Sequence, residues 1–137
     1  MKLAKKITIA AAMALWAGLF LAAQKPADLV GTWSGEATLE GQDGPNTLTL
    51  VLELKEGKLT GHMTDQYGGV NGEIKDIVLE KSAFNFTAPA IFKQSMYGQS
   101  RQGSILFKME LSGDSMKGEI EIPEMSAKGT WQAAKNK

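Results

Sequence analysis

The sequence predicts an all-β fold: an eight-stranded antiparallel up-and-down (meander) β-barrel, preceded by a signal-peptide helix. Three observations predict it. Apolar and polar residues alternate along most of the chain beyond residue 30, the period of a strand with one buried face. Short turn sequences close successive segments in phase. The tripeptide Gly-Thr-Trp occurs twice, at 31–33 and 129–131, on the first and last of those segments.

The N-terminus is a different material. Lys2, Lys5 and Lys6 precede an uncharged run of 17 residues, Ile7 to Ala23, which ends in Leu21-Ala22-Ala23. A positive start, an apolar centre and small residues before a polar stretch make a signal peptide, with cleavage expected after Ala23. The competing expectation is retention as an N-terminal anchor, for which the run is slightly shorter than the roughly 20 residues of a spanning helix. Both place residues 24–137 outside the cytoplasm, in the periplasm or beyond, with no integral membrane segment after cleavage. No Cys follows the run, which excludes lipoprotein anchoring.

Taking 23 residues from 137 leaves 114, a single domain. Three lysines leave with the signal, so 12 basic residues face 15 acidic ones, a net charge of about −3. That is not a nucleic-acid surface. The chain has no cysteine, so the core alone must hold an exported domain together. At this size folding buries roughly two thirds of the unfolded surface.

The strands follow in order. Gly31, Trp33, Gly35, Ala37 and Leu39 share one face of the first; Leu48, Leu50, Leu52 and Leu54 share one face of the second. Leu59, Gly61 and Met63 define the third. Val70, Gly72 and Ile74, then Ile77 and Leu79, define the fourth, with a one-residue phase slip near Lys75-Asp76 that reads as a β-bulge. Phe84, Phe86 and Ala88 mark the fifth, and Ile105, Phe107, Met109 and Leu111 the sixth. Met116, Gly118, Ile120 and Ile122 mark the seventh, and Ala127, Gly129, Trp131 and Ala133 the eighth. A two-residue turn at Gly113-Asp114 predicts the pairs Leu111 with Met116, Glu110 with Lys117, Met109 with Gly118 and Lys108 with Glu119. A turn at Glu56-Gly57 pairs Leu54 with Leu59 and Leu52 with Gly61. A turn at Glu124-Met125 pairs Glu121 with Lys128 and Ile122 with Ala127. An open meander has two edges that invite aggregation. Closure removes them by pairing the first strand with the last, which brings the two Gly-Thr-Trp strands together.

The G-x-W of "LVGTWSGEA" on the first strand of such a barrel resembles the lipocalin and avidin superfamily, the calycins. Residues 28–134 resemble short bacterial lipocalin-like domains in strand order and spacing. The resemblance implies a single lipocalin-like domain over 24–137, and a basic residue packed over Trp33, for which Lys135 and Lys128 both stand near the end of the last strand. It also implies a carrier of small molecules. The chain departs from the family in being shorter than ordinary lipocalins and in lacking their disulfides and C-terminal helix. The "TDQY" at 64–67 does not match the lipocalin T-D-Y motif in length or place. The polar residues and extra tryptophans of a biotin site have no counterparts.

Catalytic chemistry finds little support. The inner face as assigned carries no charge. Glu36, Glu53, Glu73, Glu110, Glu119 and Glu121 all phase outward, so no carboxylate pair is set for acid–base work. His62, the only histidine, phases outward opposite Val51, without the company a metal needs. The Gly68-Gly69 pair precedes a strand, so it reads as a turn and not a phosphate loop. No enzyme, metal or cofactor is expected.

Binding is the remaining chemistry. Trp33 and Trp131 either plug the barrel floor or line a ligand cavity with Phe84, Phe86 and Phe107. The segment 89–103 exceeds ordinary hairpin loops and carries Phe92, Tyr97 and Arg101. It either folds over the barrel end as a plug or forms a rim where Arg101 or Lys93 meets an acidic head group. The interior glycines either leave a cavity or let walls approach. Two functions follow: an exported barrel holding a small apolar or amphipathic ligand in the barrel or at its mouth, or a filled barrel with a structural or protein-interaction role in the cell envelope.

Overall fold

The computed structural model describes residues 25–41, 44–94 and 99–136. The expected signal peptide, 1–23, lies outside them. Among the described residues nine strands are formed: β1 (Gly31–Leu39), β2 (Asn46–Lys55), β3 (Lys58–Asp65), β4 (Asn71–Glu73), β5 (Lys75–Glu80), β6 (Ala83–Gln94), β7 (Gln99–Ser112), β8 (Ser115–Ile122) and β9 (Ala127–Lys135). Short 3₁₀ turns occupy Pro26–Leu29 and Pro123–Met125. The strands make one antiparallel sheet in the order β4-β3-β2-β1-β9-β8-β7-β6-β5.

Turn chemistry sets the registers. Glu56 and Gly57 both have positive φ, 53° and 78°, as a type I′ hairpin turn requires. The pairs Leu54–Leu59 and Leu52–Gly61 follow from it. Gly113, at φ 60°, opens the β7–β8 turn, and Leu111–Met116 through Lys108–Glu119 pair as its spacing predicts. Ile122–Ala127 and Glu121–Lys128 form across the third turn. The alternation is carried into burial: Leu48, Leu50 and Leu52 are buried, while Val51 between the last two and Glu53 beyond them are exposed. Each buried leucine contributes roughly 1.5–3 kcal/mol relative to an exposed one. Leu54 keeps the expected phase, opposite Leu59, but is not buried. It is 39 % exposed, because β2 and β3 run past the core before they turn.

The sheet closes where the two Gly-Thr-Trp strands meet. β1 and β9 are the chain's most distant strands, and they pair over Trp131–Ala37 and Lys135–Trp33. The remaining gap lies between β4 and β5. These are the two halves of the expected fourth strand, which is why nine strands form and not eight. β4 pairs with β3 and β5 with β6; Ile74 joins them and donates its N–H to Gly61 O at 2.9 Å. The phase slip expected near Lys75-Asp76 is present as a register shift between Lys75 and Val78, with Asp76 in the left-handed region at φ 54°. Pro89 of β6 sits against β4, so close to Gly72 that a Cβ there would lie 2.6 Å from its Cγ. Proline has no N–H to give to a ladder, and no ladder forms between β4 and β6. One backbone bond, Ile91 N to Gly69 O at 2.7 Å, ties the gap at one end.

The interior glycines let neighbouring strands approach. A Cβ on Gly35 would fall on the carbonyl oxygen of Gln132, one on Gly118 on that of Lys108, and one on Gly129 on that of Thr38. The space of the missing side chain is taken by the adjoining backbone, so these positions bend the sheet inward and leave no void.

Candidate functional site

The interior is the first place to look for a ligand. Phe84 and Phe86 leave β6 on the same side, two residues apart, and their rings lie 5.1 Å apart. Phe86 stacks on Phe107 at 4.5 Å and 10° between planes, and Phe107 meets Trp131 edge-on at 5.4 Å and 77°. All four rings are buried. They touch one another, so the row reads as core: each contact of this type adds about 0.5–1.5 kcal/mol beyond burial. The Trp131 indole N–H is satisfied within the fold, donating to Gly35 O at 3.0 Å.

Trp33 closes one end. The 3₁₀ turn Pro26–Leu29 places the buried Leu29 beneath it, and the Trp33 indole N–H donates to Leu29 O at 2.9 Å. Of the two lysines considered for the position over this ring, Lys135 takes it. Its Nζ stands 5.9 Å from the ring centroid and donates to Asp28 O at 2.8 Å. The Lys135 stem passes over Gly31, where a Cβ would lie 2.9 Å from Cε. The two tryptophans therefore differ: Trp33 seals the floor, whereas Trp131 packs against Phe107.

The opposite end is open. Leu39, Val70, Ala90, Ile91, Ile105 and Ile122, with Met125 of the second 3₁₀ turn, line a cleft of about 290 Å³. Val70, Ala90, Ile105 and Ile122 are buried at its base, while Ile91 and Met125 are 47 % and 45 % exposed at its rim. One corner is polar. Asp65, at the end of β3, shares the inner phase with Met63, which corrects the expectation of an uncharged inner face. Its Oδ1 accepts from Val70 N at 3.1 Å and its Oδ2 from Asn46 Nδ2 at 2.9 Å. Because a carboxylate oxygen only accepts, the amide nitrogen of Asn46 must face it, and Asn46 Oδ1 is left shielded from solvent without a partner. An unmet buried acceptor costs about 1–3 kcal/mol.

The expected site residues divide accordingly. Trp33, Phe84, Phe86, Phe107 and Trp131 are brought together as core or floor, and none of them lines the mouth cleft. Much of the 89–103 segment, expected as a long loop, is ladder: Phe92 pairs with Arg101 and Gln94 with Gln99. The side chains of Phe92, Lys93 and Arg101, and all of Tyr97, lie outside the described residues. Asn46 and Asp65 were not among the expected site residues. Their signal was the Glu56-Gly57 turn, whose register, carried outward, brings Leu48 opposite Asp65 with Asn46 two residues beyond.

His62 is exposed on the outer face and meets Asn71 Oδ1 at 2.9 Å. Among the described residues no group of three or more His, Asp or Glu gathers as a metal would need, and no helix is long and apolar enough to cross a membrane. Compared with known proteins, the chain matches no family model and no curated protein.

Proposed function

We propose that this protein is an exported, lipocalin-like β-barrel that binds a small apolar or amphipathic molecule at its mouth. The observation that carries the reading is the apolar cleft of about 290 Å³ at the open end, with one polar corner at Asn46 and Asp65. Small-molecule sites are apolar concavities with a few placed polar groups, of roughly 300 Å³ and above, and this cleft stands at the lower bound. Kinship with lipocalins is supported by the meander closed first strand to last, by Trp33 over its 3₁₀ turn, and by Lys135 across that ring. Export is supported by Lys2, Lys5, Lys6 and the apolar run that follows them.

A second reading, a filled barrel acting through its outer surface, is favoured by the aromatic row Phe84–Phe86–Phe107–Trp131 in the interior. Intact mass measurement under native conditions separates the two, using protein purified from its own host. Binding at the mouth predicts a discrete adduct that is lost on denaturation and restored by host lipid extract. Ile91→Glu should abolish it, since Ile91 stands exposed at the rim and its change disturbs little packing. A bare mass before and after exposure to the extract moves the assignment to the filled barrel.

A further inference from the structure

Resting on the mouth reading, we infer that the ligand is a short amphiphile with a hydrogen-bond-donating head, an amine or a hydroxyl, and not an acid. The size comes from the cleft. About 290 Å³ holds roughly ten atoms of the bulk of a water molecule, at about 30 Å³ each. The tail comes from the lining: Val70, Ala90, Ile105 and Ile122 offer no polar side-chain atom. The head comes from the polar corner, where the Asp65 carboxylate lines the cleft with accepting capacity to spare. Asp65 has two carboxylate oxygens with one donor each, and a carboxylate takes about four hydrogen bonds in all. Asn46 turns an amide N–H to Asp65 and its carbonyl oxygen is shielded from solvent, so the carboxylate is the acceptor that a head group meets. A carboxylate head would set a second negative charge against Asp65 and bring no donor. An ammonium or hydroxyl supplies the donor and, for the ammonium, the opposite charge. The expectation of an acidic head meeting Arg101 or Lys93 rests on side chains outside the described residues.

The test compares three probes with one tail, octylammonium, octan-1-ol and octanoate, titrated calorimetrically into the purified protein at low and at high salt. The expected order is octylammonium tightest, octan-1-ol next, and octanoate at least tenfold weaker than octylammonium. Salt should shrink the ammonium's advantage and leave the alcohol unchanged, as screening of a charge pair requires. Asp65→Asn should bring octylammonium down to the level of octan-1-ol; if that variant fails to fold, the salt dependence of the wild-type protein carries the same information. Equal binding of the three, or a preference for octanoate, overturns the head-group assignment and leaves the mouth site standing. Absence of binding by all three overturns the mouth reading, and this inference with it.

Discussion

Trp33 carries two loads at once, burial in the floor and a hydrogen bond to Leu29 O. Trp33→Ala should therefore cost about 3–5 kcal/mol, the range for large aromatic truncations in cores, read as a shift in the urea midpoint. Near-wild-type stability would remove Trp33 from the core. Gly35 makes the opposite point. Its missing Cβ is occupied by backbone of β9, and backbone cannot step aside as a side chain can. Gly35→Ala should cost about 2 kcal/mol or more, although alanine is small and apolar. Tolerance of that change would mean that β1 and β9 do not approach as described. At this scale the sequence was legible in part. The inward phase of both tryptophans could be read directly. That Gly35, Gly118 and Gly129 mark close strand approaches and not empty space could not, because the same spacing serves either.

The strands and their turns were the most legible layer, since a two-residue turn fixes every pair beyond it. Glu56 is the place where the sequence strains against its element. A non-glycine residue at φ 53° in a type I′ turn is where asparagine followed by glycine is preferred. Glu56→Asn should thus raise stability by about 0.5–1 kcal/mol in thermal unfolding, within the usual gain from such local optimisation. Asp76 at φ 54° marks the bulge in β5. Asp76→Val should cost about 1–2 kcal/mol, because a branched Cβ in the left-handed region meets the following carbonyl; Asp76→Gly should be close to neutral. Equal effects of the two substitutions would remove the bulge. The split of the fourth strand into β4 and β5 was harder to foresee. It depends on Pro89 lying against Gly72, a contact between residues far apart in sequence that no local period encodes. The extent of β6 and β7 was missed for a related reason: the turn-rich composition of 89–103 masks a ladder that continues to Gln94 and Gln99.

The molecule as a whole is a barrel sealed at one end and open at the other. Leu29, Trp33 and Lys135 make the floor, the aromatic row fills the interior, and Asn46, Asp65, Ala90 and Ile91 stand at the mouth. Closure was foreseeable, because an open meander leaves edges exposed; the location of the remaining gap was not. Amide exchange should mirror that difference. The β1–β9 ladder, around Ala37 and Trp131, should be among the last to exchange, and Asn71–Glu73 of β4, laddered on one side only, among the first of the strands. Uniform protection across both would contradict the gap. The most direct test of the central claim, that the ligand site is the mouth and the interior is core, is a titration of isotope-labelled protein with octan-1-ol followed by NMR. Binding at the mouth shifts Val70, Ala90, Ile105 and Ile122 and leaves the Trp131 indole N–H and the rings of Phe86 and Phe107 unmoved. Shifts centred on Trp131, Phe86 and Phe107, with the mouth silent, would contradict it.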